Sequence, residues 1–174
     1  MSGLPVGADI LKEEYLKLQD VVESFDQRAL QIKGWSVTVS LAGMAAALIA
    51  KDVTPDLKAI AFAVSALAAI AFWIIEFSWK RFQWSFYPRI REIEAAFASG
   101  EAIAPLQINA SFTKAINRIT SRDFTRPFYP FLMFPHAIIA AVGIFLAVQF
   151  WGLQPGQQVK IFGAKLTVSA PAHP

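Results

Sequence analysis

The chain has 174 residues, 55% of them hydrophobic and 17% charged, with a formal net charge of +3 and no cysteine. The apolar share exceeds the about 45–50% usual for a soluble domain and gathers in three blocks, which predicts an all-α, integral membrane helical bundle. Without cysteine there is no disulfide, iron–sulfur cluster or thiolate zinc site. His136 and His173 lie far apart with no carboxylate beside them, so no metal or cofactor is expected, and no phosphate-loop, dinucleotide, zinc-protease or serine-hydrolase motif points to an enzyme.

Residues 1–34 read as a cytoplasmic amphipathic helix that leans acidic. Leu11, Tyr15, Leu18, Val22, Phe25, Ala29 and Ile32 recur at alternating spacings of four and three, a coiled-coil type of stripe. This charged helix precedes the first long apolar run, so no cleaved signal peptide is expected and the first span acts as an anchor.

Residues 35–50 form the first predicted transmembrane helix, short against the roughly 20 residues a span needs. Lys33 and Lys51 bound it and can snorkel. The "KDVTPD" link turns the chain into the second predicted span, residues 57–79, with Pro55 at a helix start. The apolar spacing of Trp79, Phe82, Phe86, Ile90, Ile93 and Phe97 carries that helix on to about residue 98 as a cytoplasmic extension. Pro88 is expected to kink it without ending it. The two cytoplasmic stripes should pair antiparallel, with the acids of the first facing Lys80, Arg81, Arg89 and Arg91. Such a pair reads either as a folded stalk that supports the spans or as a surface that docks a cytoplasmic protein partner.

Residues 99–129 form a basic cytoplasmic segment. Phe112, Ile116 and Ile119 share one helical face, and Lys114, Arg118 and Arg122 another. Contact with membrane lipids is the expected use of Lys80, Arg81, Lys114, Arg118 and Arg122. The charge is too sparse for a nucleic-acid site. Residues 130–153 are the third predicted span, and residues 154–174 an external tail with a small hairpin around Gly163-Ala164. Trp35, Trp79 and Trp151 mark span ends as an interfacial belt would. Three spans put the N-terminus and the 79–129 loop on one side with twelve Lys or Arg against four. The expected protein is therefore a multi-pass protein of the bacterial inner membrane, with a cytoplasmic N-terminus and an external C-terminus.

Each span carries a small or polar stripe: Ser36, Ser40, Gly43 and Ala47; then Ala61, Ser65, Ala68, Phe72 and Glu76; then His136, Ala140, Gly143 and Ala147. Small residues four apart let helices approach closely, which is the structural reading. The functional reading takes Ser36, Ser40, Ser65 and Glu76 as pore or pore-mouth groups of a homo-oligomer that lets ions or small solutes through. Glu76, one turn before Trp79, also stands at i and i+4 with Lys80, so a structural ion pair competes with a ring of carboxylates. A non-conducting scaffold that docks a partner through its stalk is the other expectation.

A helix ending in "FDQRALQIKGWSVTVS", a short two-span hairpin and the aromatic-basic helix "WKRFQWSFYPRIREIE" together resemble the SLATT group of bacterial two-span membrane proteins, over roughly residues 10–97. The resemblance implies oligomerisation and a pore-forming or membrane-perturbing effector role beside nucleotide-sensing partners. It carries no catalytic residues. The third span, the external tail and the lack of a sensor domain set this chain apart from that pattern.

Overall fold

The computed structural model describes residues 7–118, 125–153, 157–161 and 164–167. Within them, helices dominate: α1 (Ala8–Ile49), α2 (Pro55–Trp84), α3 (Tyr87–Ser99), α4 (Ile108–Ile116), a 3-10 turn (Arg126–Phe128), α5 (Pro130–Met133) and α6 (His136–Phe150). Strands β1 (Gln158–Ile161) and β2 (Ala164–Thr167) pair antiparallel, with Gln158 opposite Thr167 and Ile161 opposite Ala164. Ile119, Arg122 and His173 lie outside the described residues.

The chain divides into two units. Unit 1 comprises Met1–Gln31 and Glu76–Pro127; unit 2 comprises Ile32–Ile75 and Phe128–Pro174. α1 and α2 each contribute to both units.

In unit 1 the expected antiparallel pairing is present. Leu11, Leu18 and Val22 of α1 pack with Ile90 and Ile93 of α3, and Tyr15, Phe86, Tyr87, Ile103 and Ile108 close around them. Later residues of α1 meet earlier residues of α2 and α3: Tyr15 donates to Glu94, Gln83 to the Val22 carbonyl and Lys80 to Asp26. Phe25 stacks against Trp79 at 5.3 Å and Phe86 at 5.9 Å between ring centroids. The seam is not a continuous apolar stripe, because a buried ion pair interrupts it. Phe82 and Phe97, expected on that seam, are exposed, and Ala96 is buried in the last turn instead.

Pro88 accounts for the end of α2. It has no N–H to offer, and its ring crowds the carbonyl four residues back, that of Trp84. The Ser85 and Phe86 amides therefore tighten onto the carbonyls of Phe82 and Gln83, each at 3.1 Å, before α3 begins. The kink is thus a two-residue break rather than a bend. α3 stops at Gly100, whose φ of 74° and amide bond to the Ala96 carbonyl make a left-handed cap.

In unit 2, α1 from residue 32, the first part of α2, and α6 pack side by side. Met44 and Ala47 of α1, Ala59, Phe62 and Ala69 of α2, and Ile139, Ala140, Leu146 and Phe150 of α6 form its core. α6 runs parallel to α1, since His136 meets Ser36 and Gly143 meets Met44. It runs antiparallel to α2, since Gly143 meets Ala66, Phe150 meets Phe62 and the Gly152 amide bonds Asp56.

Two helical stretches, Ala8–Ile49 and Pro55–Ser99, are long and apolar enough to cross a membrane. The third apolar block differs from the expected continuous helix over 130–153. It is divided into the single turn α5 and the 15-residue α6, with Phe134 extended at φ −80° and ψ 130° and a cis Phe134–Pro135 bond between them. At 1.5 Å per residue α6 measures about 22 Å, short of the roughly 30 Å hydrocarbon core.

Candidate functional site

Unit 2 is apolar outside as well as in its core. Large apolar side chains cover its exterior: Val39, Leu48 and Ile49 on α1, Leu57, Val64 and Leu67 on α2, and Ile138, Ile144 and Val148 on α6 are all exposed. The buried positions include the small and polar residues of the sequence stripes. Ser36, Ser40 and His136 are 0% exposed and Ser65 5%. An apolar exterior with a few small and polar residues among the buried positions is compatible with a helix bundle in lipid.

Close helix approach explains part of this stripe. A Cβ added at Gly43 would lie 2.5 Å from Ser65 Oγ, so α1 and α2 touch there. A Cβ at Gly143 would meet Met44 Cε at 2.7 Å and both Ala66 Cβ and the Phe62 carbonyl at 3.0 Å. Ser65 turns its hydroxyl back to the Ala61 carbonyl at 2.9 Å, the local bond that serines make inside helices.

The remaining polar groups make a compact constellation. Ser36 Oγ lies 2.7 Å from His136 Nδ1, both fully buried, with the histidine at the first position of α6. One turn further along α1, Ser40 Oγ is buried with no hydrogen-bond partner, alone in this among the described residues. A buried hydroxyl without a partner costs about 1–3 kcal/mol, so Ser40 is the group whose placement packing alone does not explain. Spacing brought Ser36 and Ser40 to notice in the sequence; the contact with His136 joins residues 100 positions apart and had no local signal.

Unit 1 holds the other buried charges. Arg89 grips Glu14 with Nε to Oε1 at 2.8 Å and Nη2 to Oε2 at 3.1 Å, a bidentate pair. The same guanidinium reaches Glu92 at 2.9 Å and the Ala104 carbonyl at 2.8 Å, while the Leu106 amide donates to Glu14 at 2.7 Å. Burial pushes the Glu14 carboxyl up, but the Arg89 and Leu106 hydrogen bonds and the guanidinium charge prevail and hold it below the ordinary glutamate range. For Asp26, burial is likewise outweighed by hydrogen bonds from Lys80 and Gln83 and by the Lys80 charge, so its carboxyl also sits low.

Of the residues expected to meet lipid, Lys80 is buried and donates to Asp26 and Gln83. Arg81 donates to the Ile116 carbonyl at 3.1 Å and braces α4. Lys114 and Arg118 are exposed. Glu76, in unit 1, is 0% exposed. All four expected pore groups, Ser36, Ser40, Ser65 and Glu76, are thus buried within the single chain.

No family model, curated protein or solved structure matches this chain.

Proposed function

We propose that unit 2 lies in a bacterial inner membrane, with α6 as its third crossing helix, and that the protein provides a passage for ions or small solutes as a homo-oligomer. The N-terminus would face the cytoplasm, following the excess of Lys and Arg in the first segment and the 79–129 loop. This is the behaviour that the SLATT resemblance implies. The observation that carries the reading is the partnerless Ser40 hydroxyl beside the Ser36–His136 pair, buried within an apolar-faced bundle. Ionisable residues at membrane depth, such as the buried His136, are costly and mark pathways by default.

Three helices do not enclose a pore, so the passage forms where copies bring their Ser36–Ser40 seams to a common axis. That step loosens α6 from α1 at the Ser36–His136 contact. Release of a trapped ion from liposomes carrying the purified protein tests the proposal: concentration-dependent release is expected, and its absence in vesicles shown to hold inserted protein would refute it.

A second reading is a non-conducting membrane scaffold whose unit 1 docks a cytoplasmic protein. The doubly bonded Glu14–Arg89 pair, which fixes α1 on α3, favours a rigid platform. It predicts a stable membrane assembly with no release. Its docking surface would lie on the exposed Phe82 and Phe97, because Ile93 is spent in the core.

A further inference from the structure

The third apolar block opens with "FYPFLMF", residues 128–134, and this stretch does not join the bundle core. Phe128, Phe131 and Phe134 are 61%, 66% and 63% exposed, and among 130–134 Leu132 alone is buried. A soluble surface rarely presents so many aromatic rings together. The backbone runs extended at Tyr129, makes one turn and runs extended again at Phe134, so the rings are spread along a short non-spanning segment.

A cation is held against them. Lys33 Nζ donates to the carbonyls of Phe131 at 2.9 Å and Phe134 at 3.3 Å, and stands 4.9 Å from the Phe131 ring centroid. The exposed Trp35 follows two residues later on α1, and Trp73 of α2 meets Phe128 edge-on at 5.7 Å. All three elements of unit 2 therefore place aromatic or cationic groups around one end of the bundle. Amphipathic aromatic rings and snorkelling lysines settle where hydrocarbon meets headgroups.

We infer that residues 128–134 are an interfacial anchor, lying along the headgroup level of the bilayer rather than forming the first turns of the third span. The occupant of this surface is the lipid interface itself, because the patch continues the apolar exterior of α6 and ends in a lysine whose charge is satisfied by backbone carbonyls. It also accounts for the short α6: a helix of about 22 Å crosses a thicker core when flanking groups anchor at the boundary or thin the bilayer locally. The inference rests on the bilayer placement of unit 2 proposed above.

The cysteine-free chain allows the test directly. Single cysteines at Phe128, Phe131, Phe134 and Val142 of the full-length protein, all exposed positions, are spin-labelled in proteoliposomes. Collision with oxygen against a water-soluble nickel chelate gives the depth of each label. The anchor predicts one shared shallow depth for labels 128, 131 and 134, with label 142 about 9 Å deeper for six residues of helix. Labels that deepen steadily from 128 to 134 would overturn the anchor in favour of a continuous span. Full chelate access at 128–134 with a deep label at 142 would overturn the anchor and leave the bilayer placement standing. Full chelate access at all four would overturn both.

Discussion

Glu14 and Arg89, 75 residues apart in sequence, meet through two parallel hydrogen bonds in the core of unit 1, between Leu11 and Leu18 of α1 and beside Ile90 of α3. Both side chains are buried, and each is the other's buried charge partner, Glu92 being half exposed. Removing one partner strands a charge, whereas replacing both with apolar residues does not. Arg89→Leu or Glu14→Leu is expected to cost about 3 kcal/mol, and the Glu14→Leu/Arg89→Leu double variant less than either single one. Chemical unfolding of the four proteins in detergent, read as a double-mutant cycle, checks this.

The same pair sets an acid limit. The folded Glu14 carboxyl lies below its ordinary value of 4.5, so its contribution is complete above that pH and is lost as pH falls through the lower folded value. Asp26, below its ordinary 3.8, acts in the same direction but more weakly, since its half-exposed side chain is screened by solvent. Unfolding free energy measured from pH 6 downward should decline below about pH 4.5, and Glu14→Gln should flatten that decline. An unchanged slope would remove Glu14 from the account.

How much of this was legible in the sequence depends on the range of the signal. The stripe from Leu11 to Ile32 and the small residues of the spans are local periodicities, and they fall on buried faces: Ser36, Ser40 and Ala47 are buried while Thr38 is exposed. The paired strands Gln158–Ile161 and Ala164–Thr167 fall on the two alternating runs of the tail. Pro88 is expected only to kink its helix, where the chain breaks for two residues, and the third apolar block is expected to be one helix, because it is uniformly hydrophobic from 130 on and hydropathy alone does not separate exposed aromatics from a helix. The Glu14–Arg89 and Ser36–His136 contacts depend on tertiary pairing, although a glutamate inside the Leu11–Leu18 stripe was a hint that a buried cation would meet it.

Gly143 and Gly43 are both close-approach positions with different tolerance. Alanine at 143 meets the Phe62 carbonyl, which moves only with the backbone of α2, as well as Ala66 and Met44. Alanine at 43 meets only the Ser65 side chain, Cβ included, with the hydroxyl nearest. Gly143→Ala should therefore destabilise by about 1–3 kcal/mol, and Gly43→Ala by less. Thermal unfolding in detergent ranks the two; the reverse order would contradict the packing of α6 on α2.

Ser40 should separate stability from activity. Its hydroxyl has no partner to lose, so Ser40→Ala is expected to leave stability unchanged or raise it by about 1 kcal/mol. Ser36→Ala deprives His136 Nδ1 of a partner at 2.7 Å and should cost about 1 kcal/mol. Matched unfolding curves for the two alanine variants give this difference.

The most direct measurement is ion flux through liposomes carrying equal amounts of wild-type protein and Ser40→Ala. Flux in the wild type that falls several-fold in an equally inserted, equally stable variant is the predicted result, and it places the Ser40 hydroxyl on the path. Equal flux in the two would take Ser40 off the path, and no flux in either, with insertion verified, would contradict a permeation role and leave the scaffold.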